Sequence, residues 1–529
     1  MARLLRIIIP ITLALGCVSM TAFAQEEIQF EDAELRSVEE YQSLISSATD
    51  LLGKDQLHEA LLKLVEVTDT GDDTESYYRE SEYLMGVALF RLGFSQSSYT
   101  YFERVLDAEP RHGRYNDVLP WLVAVHRKTP GETLTLERMA EYEEAAYPKD
   151  LKSEINFYVG QFHYYQGNLD EALRALGQVK SENQDVYLRA RYLEGVTHVR
   201  KNDARKASES MKAILRYEKT TGVKGQAGKK LYRMALLSMA RIFYTIAGIG
   251  NDPKKYRTAI RYYNEIPEYS PDWLESLLEV SWSNFQIDNY GRSLGNLHTL
   301  NSPYFEEEYF PEALVLESVI LYRHCHYDET LKSIDRFIKS YRDLWKELDT
   351  QLKVPRDPNQ FYAWLARMSQ QGADLSLRLK RIFNAALADR KLNRSFRFIL
   401  HLNREIRSLK KLSQNAAMTA LAASLLAELS AFRELVLGEV GSLARSRLQS
   451  VHRDLRRHLT DALKVKFETL SAQKRDIEQN RASRGNTDIS TGGVAIDKEH
   501  MYWPFEGEYW KDELGSYTVA IQSRCSDTK

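Results

Sequence analysis

A small residue returns at a fixed interval in the middle of this chain. Gly160 and Gly195 lie 35 residues apart, and Ala172 and Ala207 repeat that spacing. Each Gly sits in one apolar helical run, and each Ala opens the next run twelve residues on. Self-similarity with this period marks a solenoid of helix pairs. One pair cannot bury its apolar face alone, so the fold grows as a stack and presents an extended surface to other proteins. It seldom houses chemistry.

Composition is compatible with such a stack. The chain has 529 residues, 43% of them hydrophobic and 28% charged, which fits neither a disordered nor a membrane-embedded chain. Tyr is abundant, at 31 against 13 Pro, which suits long helices with amphipathic surfaces. A formal net charge of -2 gives no reason to expect nucleic acid as a partner.

The first 24 residues read as a secretory signal. Arg3 and Arg6 form a basic start, and Ile7 to Val18 is apolar but too short to span a bilayer comfortably. Ala22-Phe23-Ala24 fits small-x-small cleavage after Ala24. A competing reading takes Leu13-Ala14-Leu15-Gly16-Cys17 as a degenerate lipobox, which would anchor the protein through a lipid on Cys17. Either way the expectation is an exported, periplasmic protein. Beyond the leader only Cys325 and Cys525 remain, and in an oxidising compartment they could pair, but they lie 200 residues apart and two unpaired, partly buried thiols are the main expectation.

After an acidic linker at 25–35, stacked helix pairs are expected over 36–345. Gly86, Leu89, Ser98, Phe102 and Pro110 stand at corresponding positions of one unit. Gly160, Gly167, Ala172 and Leu176 do so in the next clear unit, and Gly195, Ala207 and Met211 in a third. On these residues the chain resembles the tetratricopeptide repeat (TPR) family. Weaker copies are framed by Ala48 and Ala60, by Ala240, Ala259 and Tyr263, by Ser281 and Ser293, and by Ser318, Thr330 and Ile334. Ser or Thr often replaces the family's close-packing Ala, and its early Trp is missing. Residues 114–150 hold an irregular pair.

A linker with a short helix is expected at 346–371. Over 372–480 apolar residues keep helical spacing, from Leu375 and Leu379 through Leu425, Leu429, Leu448 and Leu455 to Leu470. This reads as a long coiled-coil-like hairpin bending near Ser413-Gln414-Asn415, although its many Ala and Arg argue against a perfect two-stranded zipper. Eleven Lys or Arg between Arg378 and Lys411 face only Asp389 and Glu405, as a solvated helix face or a site for an acidic partner or anionic surface. A flexible linker at 481–497 leads to an aromatic tail at 498–529. Its Tyr502, Trp503, Phe505, Tyr509 and Trp510 either fold back onto the helices or form a docking patch, and Tyr517, Val519 and Ile521 alternate as in a short strand. The fold class is thus all-α, with a possible strand in the tail.

No cofactor is expected. His324-Cys325-His326 is contiguous and lacks the companion ligands of a zinc site. An exported helical superhelix is also similar to soluble lytic transglycosylases, which cleave peptidoglycan with one Glu. Glu80-Ser81 and Glu317-Ser318 match the start of that signature, but neither continues into its Gly-Leu-Met-Gln stretch. A wall-active enzyme or wall-binding accessory is therefore the alternative, and a non-enzymatic scaffold the main reading. The TPR resemblance implies an inward-facing groove lined by Tyr83, Phe90, Arg91, Phe157, Gln161, Tyr164, Tyr165, Arg189, Tyr192, Arg200, Tyr322 and Arg323, residue types favoured at binding hot spots. Partners would be envelope proteins, with self-association through the long helices open. Tail and body together are similar to envelope TPR proteins of gliding and predatory proteobacteria, which implies a motility or secretion complex.

Overall fold

A computed structural model describes residues 36–108, 112–129, 134–306, 308–370, 382–383, 390–478 and 509–525. The expected leader at 1–24, the expected linkers at 25–35 and 481–497, and Tyr502, Trp503 and Phe505 lie outside them. The described residues are overwhelmingly helical and contain no β-strand.

Helices pair in chain order. The pairs are α1 (Val38–Gly53) with α2 (Leu57–Thr70), α3 (Ser76–Arg91) with α4 (Ser95–Asp107), α5 (Tyr115–Lys128) with the short α6 (Leu134–Ala140), and α7 (Lys152–Gln166) with α8 (Leu169–Gly177). Then come α9 (Gln184–Arg200) with α10 (Ala204–Thr220), α11 (Gly225–Gly250) with α12 (Pro253–Asn264), α13 (Trp273–Gln286) with α14 (Tyr290–Leu300), and α15 (Pro311–Arg323) with α16 (Tyr327–Lys353). The boundary expected at 345 falls inside α16.

The turn inside a pair is a repeated device. Asp55, Gly93, Gly167, Asn202, Asn251, Asp288 and Cys325 all take positive φ there. The residue after each donates its N–H to the carbonyl five positions back, as in Asn168 to His163 at 2.9 Å and His326 to Leu321 at 3.0 Å. This bond satisfies a carbonyl left over at the end of the first helix. Gly, Asn and Asp enter the left-handed region most readily, and Cys325 is the odd residue in the series.

Pairs cross closely where the sequence places its small residues. A Cβ on Gly86, Gly160 or Gly195 would meet Phe102, Leu176 or Met211 at 2.6–2.7 Å. The weaker copies keep the same packing with hydroxyls. Ser281, Ser293, Ser318 and Thr330 are fully buried. Ser293 Oγ donates across the crossing to the Ser281 carbonyl at 2.9 Å, while Ser318 and Thr330 bond within their own helices.

The C-terminal helices depart from expectation. α17 (Pro358–Gln370), α18 (Arg390–Leu412) and α19 (Thr419–Glu478) follow the stack. The chain does turn at Ser413–Asn415, where Asn415 caps a short 3-10 turn. However, α19 has 60 residues, about 90 Å at 1.5 Å per residue, and far outruns α18. It packs on α15, α16 and α17 as well as α18. Arg445 donates to the Arg356 carbonyl at 2.6 Å, and a Cβ on Gly441 would collide with the Pro358 carbonyl. Lys466 pairs with Asp335 at 2.7 Å. The hairpin is therefore laid along the stack rather than standing clear of it.

The helices also close the stack. One continuous apolar core contains Leu84, Leu89 and Phe94 from the start of the chain with Leu409, Leu421 and Leu425 from its end. α4 lacks a capping side chain of its own. Buried Glu405 of α18 supplies one, accepting from Gln96 N at 3.0 Å, Ser97 N at 2.8 Å and Ser97 Oγ at 2.8 Å. Arg104 of α4 lies 3.6 Å from Glu428 of α19.

Candidate binding surfaces

Most of the expected groove residues are tied to their neighbours. Arg91 donates to the Leu52 carbonyl at 2.7 Å and to Asp55 at 2.9 Å. Arg200 donates to the Tyr164 carbonyl at 2.9 Å and lies over the Tyr164 ring at 4.8 Å. Arg323 lies 3.7 Å from Asp288 and over the rings of Phe285 and Tyr290. The recurring Arg thus reaches back one repeat and clasps the end of the preceding first helix. Its periodicity reports stacking, which a sequence cannot distinguish from a recurring ligand contact.

The other positions vary. Tyr83 accepts from Trp121 Nε1 at 3.0 Å, and Phe90 meets Trp121 edge-on. Phe157 and Gln161 are buried, the former under Arg189 and the latter donating to the Tyr165 hydroxyl at 2.9 Å. Tyr192 packs into the core of the α9–α11 region. Tyr322 stands beside Tyr327. Tyr165 is exposed and accepts from Arg394 of α18, so the basic helix reaches this face. Lys391, Arg397, Arg404, Arg407, Lys410 and Lys411 of α18 remain exposed.

A site not anticipated from sequence lies further along. α13 and α15, the first helices of their pairs, face α19 across a cleft of about 730 Å³. Trp282, Tyr309 and Val315 form one wall, and Arg457, His458 and Lys464 belong to the other. Trp282 Nε1 and the Tyr309 hydroxyl are buried without a hydrogen-bond partner among the described residues. Burial raises the Tyr309 pKa far above the ordinary phenol value, so the hydroxyl keeps its proton. The aromatic wall thus faces a helix of mixed charge, on which Arg457, His458 and Lys464 alternate with Asp454, Asp461 and Glu468. The Trp and Tyr were visible in the sequence, but α19 as the facing wall was not.

The tail folds back over Tyr509–Cys525. It lies along α14 as an extended chain, not a strand of a sheet. Val519 N donates to the Gly291 carbonyl at 3.0 Å, and Gly515 N to Thr299 Oγ1 at 2.9 Å. Arg292 donates to the carbonyls of Gly515, Ser516 and Tyr517. A Cβ on Gly295 would strike the Tyr517 carbonyl. Leu514 is buried beside Trp273 and Leu294. Tyr509 stacks on His298 at 4.3 Å, while Trp510 stays exposed.

The expectation of two free thiols is overturned: Cys325 and Cys525 form a disulfide, S–S 2.06 Å. The two flanking histidines serve the same junction. His326 Nε2 donates to the Gln522 carbonyl at 2.8 Å, and His324 Nδ1 to the Ile320 carbonyl at 2.8 Å. A usable signal existed in the turn series, where cysteine takes a place otherwise held by Gly, Asn or Asp.

The two glutamates of the enzyme alternative are held in ion pairs. Glu80 accepts twice from Arg114, at 2.8 and 2.7 Å. Glu317 accepts from Arg336 at 2.6 Å, and burial raises its pKa against the pull of that guanidinium.

The packing defines an all-α solenoid of tetratricopeptide-like pairs, closed by its own C-terminal helices. No family model and no curated protein matches the chain. Among solved structures it is similar to the apo form of RapI (TM-score 0.34, 12% identity, 65% of this chain and 96% of that one). It is also similar to a tetratricopeptide repeat protein from Parabacteroides merdae ATCC 43184 (TM-score 0.23, 13% identity, 57% and 93%). A third is the APC/C hetero-tetramer Cut9-Hcn1 (TM-score 0.20, 12% identity, 83% and 95%). Likenesses this distant carry no argument about partners.

Proposed function

We propose that this protein is a non-enzymatic adaptor of the cell envelope that holds an extended segment of a partner protein. The observation that carries this reading is the cleft between α13, α15 and α19. Its aromatic wall of Trp282, Tyr309 and Phe310 suits apolar side chains of the segment, and the mixed charges of α19, Arg457 and Lys464 beside Asp454, Asp461 and Glu468, suit polar groups of either sign along it. Export is supported by the leader-like start and by the Cys325–Cys525 bond, since disulfides persist in oxidising compartments. The partner would belong to an envelope complex of the motility or secretion type.

Photo-crosslinking in the periplasm tests this reading. A crosslinker placed at Trp282 or Tyr309 should capture one discrete partner band. The same group at Ile249, exposed at the end of α11, should not. Equal recovery from all three positions, or none from the cleft, refutes the adaptor reading.

A further inference from the structure

The last turns of α19 carry an apolar strip that nothing among the described residues covers. Leu463 is 54% exposed, Phe467 72%, Leu470 47% and Ile477 70%. With Lys474 they fall at alternating steps of four and three residues, the a and d positions of a heptad seam. The face flanking the strip is in use: Ala462, Thr469 and Ala472 are buried, and Lys466 and Gln473 bond to Asp335 and Asp328 of α16. A lone exposed Leu means little, but four large side chains in one line do not arise from ordinary surface composition.

We propose that this strip is the interface with a second copy of this chain, formed by two α19 ends packed antiparallel. Three observations select that occupant. The strip presents roughly 400 Å² of apolar side chain, the size of a functional patch on a monomer. Two copies with their flanking polar surface then approach the ~1,200 Å² at which specific interfaces begin. The heptad spacing calls for another helix with the same spacing, and this chain supplies one.

Charge then fixes the direction. A parallel pair would set Lys474 on Lys474 in the seam and Arg456 beside Arg456. An antiparallel pair centred between Phe467 and Leu470 sets Phe467 against Leu470 of the second copy and Lys474 against Leu463. It brings Glu478 within a turn of Arg456 on the second copy, twice by symmetry. Arg456 and Lys474 are both exposed, and Glu478 lies 3.6 Å from Lys474 of its own helix. A single polar residue in a seam is a common device for setting register. Such a dimer is isologous and closes on itself. It stands independently of the adaptor reading.

Sedimentation of the full mature chain tests the proposal. Wild type is expected to sediment as a dimer that dissociates on dilution. Phe467→Glu, which would bury an unpaired charge, should raise the dissociation constant at least about 100-fold with an unchanged circular-dichroism spectrum. Lys474→Leu should tighten the dimer. Mixing Phe467→Cys with Leu470→Cys under oxidation should give more crosslinked dimer than either variant alone. A monomer at every concentration, a dimer that survives Phe467→Glu, or crosslinking strongest within Phe467→Cys alone would overturn it.

Discussion

Glu405 is the sharpest place to test whether the C-terminal helices truly close the stack. Its carboxylate accepts two backbone N–H groups and one hydroxyl at the start of α4, more than 300 residues away. Hydrogen bonds to a charged group contribute about 1.5–3 kcal/mol each, without simple additivity. The helix dipole adds up to about 2 kcal/mol in a partly buried geometry. Glu405→Gln keeps the shape but removes the charge and turns an amide NH₂ toward existing donors. The expected cost is about 2–3 kcal/mol. Glu405→Ala leaves two buried N–H groups bare and should cost about 3–5 kcal/mol. A melting curve blunts such effects in a long chain, where each kcal/mol moves the midpoint by about 2 °C or less. Amide hydrogen exchange at Gln96 and Ser97 reads the cap directly. A 2 kcal/mol loss corresponds to exchange roughly 30-fold faster there, while amides of α9 should stay unchanged. Exchange at Gln96 and Ser97 within threefold of wild type in both variants would refute the closure argument.

Other consequences follow from the same packing. Reducing the Cys325–Cys525 bond, or replacing both by Ser, should cost about 2–5 kcal/mol, given the 200-residue loop it closes, and should appear as a lower unfolding midpoint in urea. Gly295→Ala should drive the tail off α14, since its Cβ would strike the Tyr517 carbonyl, and limited proteolysis should then cut near Tyr517 while the repeats stay intact. His126 is buried between α5 and α6, hydrogen-bonded with Thr135, and its pKa is lowered to about 4, first by burial and then by Arg189 and Arg394, against Glu154. The unfolded chain takes up this proton near pH 6.5 and the folded chain only near pH 4, so stability should fall by about 3 kcal/mol as pH drops through that window. The fall should be measurably smaller in His126→Gln.

The repeats were legible because close helix crossing imposes residue size. Gly86, Gly160 and Gly195 face large side chains one helix on, and nothing bigger fits. The C-terminal helices were legible as helices but not in their placement. Apolar spacing says that a face is covered and leaves open by what. Thus the stretch ending at Leu470 read as one arm of a hairpin, whereas its last turns lie on α16. Glu405 read as one of two acids in a basic stretch, and its partners, two backbone N–H groups and the Ser97 hydroxyl, lie far off in the chain and carry no sequence signature. Arg91, Arg200 and Arg323 share one position in their repeats, but in sequence a repeat-to-repeat clasp is indistinguishable from a recurring ligand contact. Tyr517, Val519 and Ile521 alternate because an extended chain lies on a helix, a geometry that mimics a strand in its pattern.

The carboxylate that caps α4 has a consequence in time. An open stack of repeats can settle unit by unit as it is made. Here the first two pairs are complete when residue 107 has emerged, yet the group that satisfies Gln96 and Ser97 belongs to residue 405. At about 5–20 residues per second, synthesis delivers it ~15–60 s later. For that interval the leading pairs wait with an uncovered flank, held open until the chain's own far end arrives.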